Sequence, residues 1–376
     1  NICYGGGVQV TLALLKEFSR FEHDLDVVAY IPEVVDAQLG DSTCIFEKHI
    51  SKVSSNKILR GYKTRSKIKG RCAEGDIDLC FTVFGPTLLR TGIPHVMGFA
   101  NPWVVLKEIA PFGLMPIKDR VKAILRYTVY KSVLQHFEGM TIVETNFIKS
   151  GMINLDIGSL NSINVIGNTY SYPFEDYKAF PNEVCKTLQI EKEDNFKYFL
   201  CLCHDYFHKN LDIIAPVSAI LKSRNINAKF VLTIDKKSFL SKPKELQNAC
   251  VNLGPICLAD CPSVYKQTDA LFLPTLLECF TATYPEAMIM GKPILTSDRV
   301  FAHEICGSAG IYFDPLSAID IANKLQFFIE NQSQINEGYL SESESVLKNI
   351  ETPASRAEKY IRLFGDVISD GNRWVH

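Results

Sequence analysis

Glu278 and Glu286 are the residues whose type and spacing point most directly to chemistry. They lie in the run LPTLLECFTATYPEAMIMGKPILTS, from Leu273 to Ser297. The apolar residues Ala270 to Leu273 predict a strand that stops at Pro274. A loop then carries Glu278. Pro285 suits the first turn of a helix, where a missing N–H costs nothing, and Glu286 follows inside that turn. Gly291 ends the helix and a short apolar strand begins near Pro293. The free backbone N–H groups at such a helix start attract phosphate, and carboxylates beside them can grip sugar hydroxyls. The pair therefore predicts a nucleotide-sugar site. Either glutamate alone would be an ordinary solvated residue of a helix start.

Three further stretches could carry chemistry. Gly5-Gly6-Gly7 precedes an amphipathic helix, and residues without Cβ let backbone approach a ligand. Gly runs are also plain turns, and this one is not the GxGxxG nicotinamide fingerprint. Pro94 to Trp103 holds a strand with His95 at its beginning and Asn101 just past its end, and strand ends of open α/β sheets are where ligands sit. His95 reads first as a satisfied core residue. Ser51 to Arg71 holds basic residues at 52, 57, 60, 63, 65, 67, 69 and 71 with no acid, and Lys118, Lys122 and Arg126 follow at helical spacing. Such a run is either solvated surface or a patch attracted to anionic lipid head groups. With a formal net charge of −2 and no nucleic-acid module, a nucleic-acid partner is not expected.

The elements that must position these residues alternate between apolar strand-like runs and helical patterns, which predicts parallel α/β sheets. In the first half, helices are expected at Val8–Phe21, Val121–Phe137 and Asn146–Leu155, and strands at Leu25–Ile31, Asp78–Phe84, Pro94–Phe99, Gly139–Thr145 and Ser162–Ile166. A mixed stretch from Gly167 reads at its start as a linker. In the second half, strands are expected at Tyr198–Cys203, Lys229–Thr233, Ala270–Leu273 and Ile294–Ser297. Helices are expected at Leu211–Arg224, Glu245–Asn252, Ser263–Thr268, Ser317–Asn331 and Ser355–Phe364. The domains predicted are 1–167, 168–350 and a C-terminal helical segment, 351–376, packing back toward the first.

The 376 residues are 47% hydrophobic, enough for two ordinary cores. None of the 12 cysteines forms a CxxC pair, so a reduced cytosolic chain is expected. Cys201 and Cys203 alternate within one apolar strand and should share a buried face. No run of 18 apolar residues appears, so no membrane span is expected. The sequence opens at Asn1, close behind where a first strand would end, and a truncated N-terminus is expected.

The Glu278 to Pro293 string resembles the donor-binding signature of retaining GT-B glycosyltransferases of the family-4 type. That signature pairs a Pro-Ser/Thr and a Glu-Gly-Phe-Gly with Glu-Ala-Met/Leu-Ala-x-Gly-x-Pro. Pro274, Thr275, Glu278, Phe280, Glu286, Ala287, Met288, Gly291 and Pro293 fall on it, while Cys279 and Thr281 stand where the family has glycines. Lys209 and Asn210 match the family's Lys-Gly or Lys-Asn, with His204 at the position of its arginine. Asn252 to Ile256, with Gly254 and Pro255, is similar to the turn that lies against the base. Tyr265 and Asp269 loosely match a Leu-Tyr-x-x-Ala-Asp pattern. Gly6 and Gly7 resemble the N-terminal glycine loop.

The resemblance implies an α/β GT-B fold, two Rossmann-like domains facing across a cleft, and a hexosyltransferase. Glu278, Lys209 and His204 would be catalytic. Glu286 would take the ribose hydroxyls, and the backbone near Phe280, Thr281 and Ala282 the diphosphate. Asn101 and His95 would lie on the acceptor and sugar side. No cofactor or metal is implied, since lysine and a helix dipole stand in for the cation, and Asp76-Ile-Asp78 introduces a strand instead of serving as a DxD loop. The partners expected are a nucleotide sugar, a glycan or lipid-linked acceptor of bacterial O-antigen or capsule synthesis, and an anionic membrane surface. A cytoplasmic location at the inner face of the membrane goes with these. A sugar-nucleotide epimerase or hydrolase, and a non-catalytic GT-B subunit, remain open beside this reading.

Overall fold

The computed structural model describes residues 6–21, 25–39, 47–51, 57–106, 111–179 and 189–374. Asn1, Gly5, Lys52, and the side chains of Lys57 and Arg60, lie outside the described residues. The chain divides into two compact units, one within 1–108, 112–168 and 351–376, the other within 109–111 and 169–350.

The first unit holds a parallel pair, β1 (Val28–Pro32) and β2 (Glu47–Ser51). Beside it stands a parallel sheet of β3 (Cys80–Thr82), β4 (His95–Phe99), β5 (Met140–Val143) and β6 (Ile163–Val165) in chain order. Every residue of β4 and β5 is buried, which is why both read as continuous apolar runs. The helix Gly6–Phe18 packs Val8, Leu12 and Phe18 into this unit's core, where Tyr360 and Phe364 of the helix Pro353–Ser369 meet them. The Phe18 and Phe364 rings lie edge to face at 6.0 Å.

The second unit carries β7 (Lys197–Cys201), β8 (Ala228–Leu232), β9 (Cys250–Asn252), β10 (Ala270–Leu273), β11 (Ile294–Ser297) and β12 (Gly310–Phe313). All pairings are parallel, in the order β12-β11-β10-β7-β8-β9. This is the doubly wound arrangement of a Rossmann fold: the chain moves outward one way from β7, then returns and moves outward the other way from β10. The loops after β7 and β10 thus face each other at the point where the order reverses.

Several expectations change. Glu245–Asn252 is not one helix: a helix spans Lys244–Ala249, and Cys250 to Asn252 form β9, pairing with Phe230 to Leu232 of β8. The free edge of β8 offers a ladder that a three-residue run cannot signal by period. The strand expected through Cys203 ends at Cys201, yet both cysteines pack on the same core. The basic run lies largely on a helix, Lys57–Ala73. Its Arg71 is engaged by acids, at 2.9 Å from Glu74, 3.0 Å from Asp76 and 3.3 Å from Glu47, and so is not a free positive charge. Among the described residues no helix is long and apolar enough to cross a membrane, and the described cysteines are free thiols.

Candidate functional site

The loop after β7 is shaped around one left-handed residue. A 3-10 turn, Phe207–Lys209, ends at Asn210, whose φ is 55°. Asparagine tolerates this region better than most residues. Its Nδ2 donates to the Pro315 carbonyl at 2.8 Å and fixes the bend. The Lys242 ammonium bridges Asp205 at 2.8 Å and Asp212 at 3.1 Å, clamping both flanks of the turn. Lys209 is thereby held at the reversal point.

The loop after β10 is sewn to the same turn. The Leu276 N–H donates to the His208 carbonyl at 2.7 Å. The buried Thr275 hydroxyl stands 3.2 Å from that carbonyl and 2.8 Å from Glu278 Oε1, with one proton to serve either. Lys209 Nζ donates to Glu278 Oε1, so the two charged groups form an ion pair across the reversal point. Burial lowers the Lys209 pKa, but the adjacent Glu278 carboxylate and the hydrogen bond to it outweigh that, and the net shift is upward. Lys209 therefore stays charged at neutral pH. His208 is pushed down to about 4 by burial, against the pull of Glu278, and is neutral there.

Glu286 sits in a different environment. The helix Thr283–Ile289 begins after Ala282, with Pro285 in its first turn. It closes with the Gly291 N–H donating to Met288 and the Lys292 N–H to Ala287, an arrangement that needs the positive φ of 61° at Gly291. Only 3% of Glu286 is exposed. Its Oε1 accepts from the Ser171 hydroxyl at 2.6 Å and from the Ser171 N–H at 3.4 Å. Burial pushes its pKa up to about 7, against the opposing effect of the Ser171 bonds. The floor beneath is aromatic: Tyr265 donates from its hydroxyl to the Thr283 carbonyl at 3.1 Å, and Phe174 meets its ring edge-on at 5.6 Å.

The structure thus joins Lys209 directly to Glu278 and places Phe280, Thr281, Ala282 and Glu286 on the same loop and helix. The Thr281 and Thr283 hydroxyls are bonded at 2.9 Å. His204 shares the Lys209 loop but is exposed, its ring 5.6 Å from that of Tyr206. Gly254, with φ of 74°, and the exposed Pro255 follow β9, the sheet's edge strand, two strands away from β7. In the first unit, Gly6 and Gly7 do not form a loop ahead of the helix; they begin it. Asn101 occupies the N-cap position of the helix Pro102–Val105, just past β4. Its Oδ1 is buried with no hydrogen-bond partner among the described residues. His95 does not join it: the ring is fully buried at the start of β4, 2.9 Å from the Thr82 hydroxyl and edge-on to Phe137 at 5.2 Å. It belongs to the core of that unit.

Sequence reasoning missed Ser171 and Lys242 and did not give Thr275 a bonding role. Thr275 was within reach as part of the matched string. Ser171 lies 115 residues before Glu286 and carries no local signal. Among the described residues, no three His, Cys, Asp or Glu side chains gather as a metal site.

Residues 197–331 match the family Glycosyl transferases group 1. A comparison with curated protein sequences found no match. Among solved structures, a glycosyltransferase from Rickettsia africae aligns with a TM-score of 0.70 at 14% identity, over 97% of this chain and 96% of that one. Anabaena Alr3699/HepE, solved with UDP and glucose, aligns with a TM-score of 0.65 at 14% identity, over 97% of each chain. WaaG, a glycosyltransferase involved in lipopolysaccharide biosynthesis, aligns with a TM-score of 0.65 at 15% identity, over 96% of each. At these identities the likenesses establish the shared fold, GT-B.

Proposed function

The chain is a group 1 glycosyltransferase of GT-B fold, and from that premise we propose that it moves a sugar from a nucleoside diphosphate to a hydroxyl of a lipid-linked glycan with retention of anomeric configuration. The observation that carries the reading is the Lys209–Glu278 pair, placed where the strand order reverses. Ligands of doubly wound sheets bind at that point. A diphosphate arriving there would draw the Lys209 ammonium from Glu278. The freed carboxylate could then accept from hydroxyls of the transferred sugar. As the glycosidic bond breaks, charge grows on the diphosphate, and Lys209 stabilises it more than it stabilised the ground state. Backbone N–H groups from Phe280 to Ala282 would share that charge. Glu286 would exchange Ser171 for the ribose hydroxyls. Asn101 Oδ1 would face the acceptor side. Lys209 and the start of the short helix would serve in place of a metal.

The solved neighbours guide the choice of ligands. HepE was crystallised with UDP and glucose, which makes UDP the first nucleotide to try. WaaG acts in lipopolysaccharide biosynthesis, which supports an acceptor in bacterial surface-glycan assembly, held at the inner face of the membrane. The exposed lysines Lys63, Lys67 and Lys69 of the helix Lys57–Ala73 suit attraction to anionic lipid.

Thermal unfolding with UDP, GDP and dTDP tests the donor site. A nucleotide at 100 times its Kd adds about 2.7 kcal/mol, and no shift with any of them would sink the site. NMR of the product's anomeric proton, with and without EDTA, tests the chemistry. An inverted linkage, or a rate abolished by EDTA and restored by Mg²⁺, would overturn retention or metal independence.

A further inference from the structure

The helix Ile117–Gln135 of the first unit exposes an apolar stripe on its outer face. Ile117 is 76% exposed, Val121 60%, Leu125 66% and Val129 53%, at four-residue intervals that stack them along one side. Leu114, 53% exposed, precedes this helix. A surface helix ordinarily gives that side to polar residues. The stripe is not needed to hold the helix, because the inner face is already anchored. Ala123 and Leu134 are buried, and Tyr127 stacks on Trp103 with centroids 5.9 Å apart and planes within 5°. The Arg120 guanidinium donates to the Gly113 carbonyl at 2.8 Å and the Met115 carbonyl at 3.2 Å.

Charge accompanies the stripe. Lys118, Lys122 and Arg126 each stand one position after an apolar residue, about 100° round the helix. All three are exposed. Across the helix, Lys118, Arg120, Lys122, Arg126 and Lys131 face a single acid, Asp119. An apolar band with a basic border matches one kind of surface in both respects, a bilayer whose acyl region takes the band and whose anionic head groups take the border. Lysine stems can lie along the apolar band while their ammonium groups reach the phosphates. A second copy of this chain is a poorer occupant, since pairing the stripes would bring the two basic borders together.

We propose that the outer face of the helix Ile117–Gln135 docks on an anionic lipid bilayer and inserts Ile117, Val121, Leu125 and Val129 into its interfacial layer. This rests on the reading of a membrane-held acceptor and locates the contact, assigning it to apolar insertion here and not to the lysines of Lys57–Ala73 alone.

The test is co-sedimentation of the full chain with phosphatidylcholine vesicles, with and without phosphatidylglycerol, at low and high salt. The double variant Val121→Gln/Leu125→Gln should lose binding by about tenfold or more at both salt levels. The triple variant Lys118→Gln/Lys122→Gln/Arg126→Gln should lose about fivefold per charge at low salt only. Both change exposed positions, and an unchanged Tm would show that folding is intact. Wild-type binding by the double variant would overturn the proposal. So would a wild-type dimer that the double variant converts to monomer while neither binds vesicles. Calorimetric titration of the same samples with UDP, GDP and dTDP separates the two readings. Nucleotide binding with no vesicle binding by wild type would overturn only the membrane contact. Vesicle binding with no nucleotide binding would overturn only the glycosyltransferase site.

Discussion

Glu278 and Glu286 stand eight residues apart in one strand-loop-helix passage, yet their surroundings are opposite. Glu278 meets a lysine held on a neighbouring loop; Glu286 accepts hydrogen bonds from Ser171. Both are largely buried, at 9% and 3% exposure, so burial alone does not separate them. A cation does. Glu278 is paired with the Lys209 ammonium, whereas beside Ser171 the cost of burial raises the Glu286 pKa to about 7. Two carboxyls with different partners, close in sequence, can therefore serve different parts of one ligand.

Breaking the pair should have the largest effect. Lys209→Ala leaves Glu278 without its cation, and stability should fall by about 3 kcal/mol. Urea unfolding would measure it. The double variant Lys209→Met/Glu278→Leu should recover most of that loss while transfer stays abolished. If the double variant is as unstable as the single one, the pair is not what the stability depends on. In steady-state kinetics, Lys209→Ala should lower kcat more than it raises the donor KM, and a pure KM effect would restrict Lys209 to binding.

Glu286 gives the next test, through pH. A carboxyl whose pKa is higher folded than unfolded binds more protons in the folded state, so stability declines as pH rises across the interval from 4.5 to about 7. Above that interval the full penalty, about 3 kcal/mol at 1.36 kcal/mol per unit, is present. Glu286→Gln should flatten this decline and be more stable than wild type at pH 8. A parallel pH profile for the two proteins would show that Glu286 is not the group responsible. Conversely, if ribose hydroxyls bond to the ionised form, nucleoside diphosphate binding near pH 6.5 should release protons, which calorimetry in buffers of different ionisation enthalpy detects.

Two smaller changes sharpen the contrast. Ser171→Ala removes both the hydroxyl and its bond to Glu286, at about 1–2 kcal/mol, and should raise the Glu286 pKa further. Stability measured across pH would show the decline displaced upward, and an unmoved profile would deny Ser171 its role. His204→Gln, at an exposed position, should leave stability within about 0.5 kcal/mol of wild type. Slower transfer in that variant would give His204 a part in the reaction, and an unchanged rate would remove it from the catalytic group.

The contrast between the glutamates was only half legible in the sequence. The strands before and after their loop are continuous apolar runs because both faces of the sheet are covered, and these runs located Glu278 and Lys209 at strand ends. The lysine–glutamate contact itself spans 69 residues and depends on β7 and β10 being neighbours, which no local pattern states. Ser171 was hidden in a stretch read as a linker; the helix Tyr172–Ala179 follows it directly. The helix Gln332–Leu347 was missed because its residues are largely polar, with Tyr339 and Ser343 as its buried positions. Gly6 and Gly7 were read as a loop because a run of residues without Cβ suits close approach to a ligand, but they form the first turn of the helix Gly6–Phe18. The stripe of Ile117 to Val129 was overlooked for a different reason. Helical period predicts an apolar side, and only coordinates show that the side already packed is the other one.

The helix Pro353–Ser369 has a consequence for the order in which the chain can be finished. Its Ala357, Tyr360, Phe364 and Val367 complete the core of the unit whose other residues come from the first 168. During synthesis, those early residues emerge from the ribosome well before that helix does. The second unit, which apart from 109–111 lies within one later stretch of chain, has all its strands available as soon as β12 is made. Of the two units, the one whose synthesis begins earlier is therefore the later to close its interior, and until then Phe18 and Phe81 lack the aromatic rings of Tyr360 and Phe364 that cover them in the finished fold.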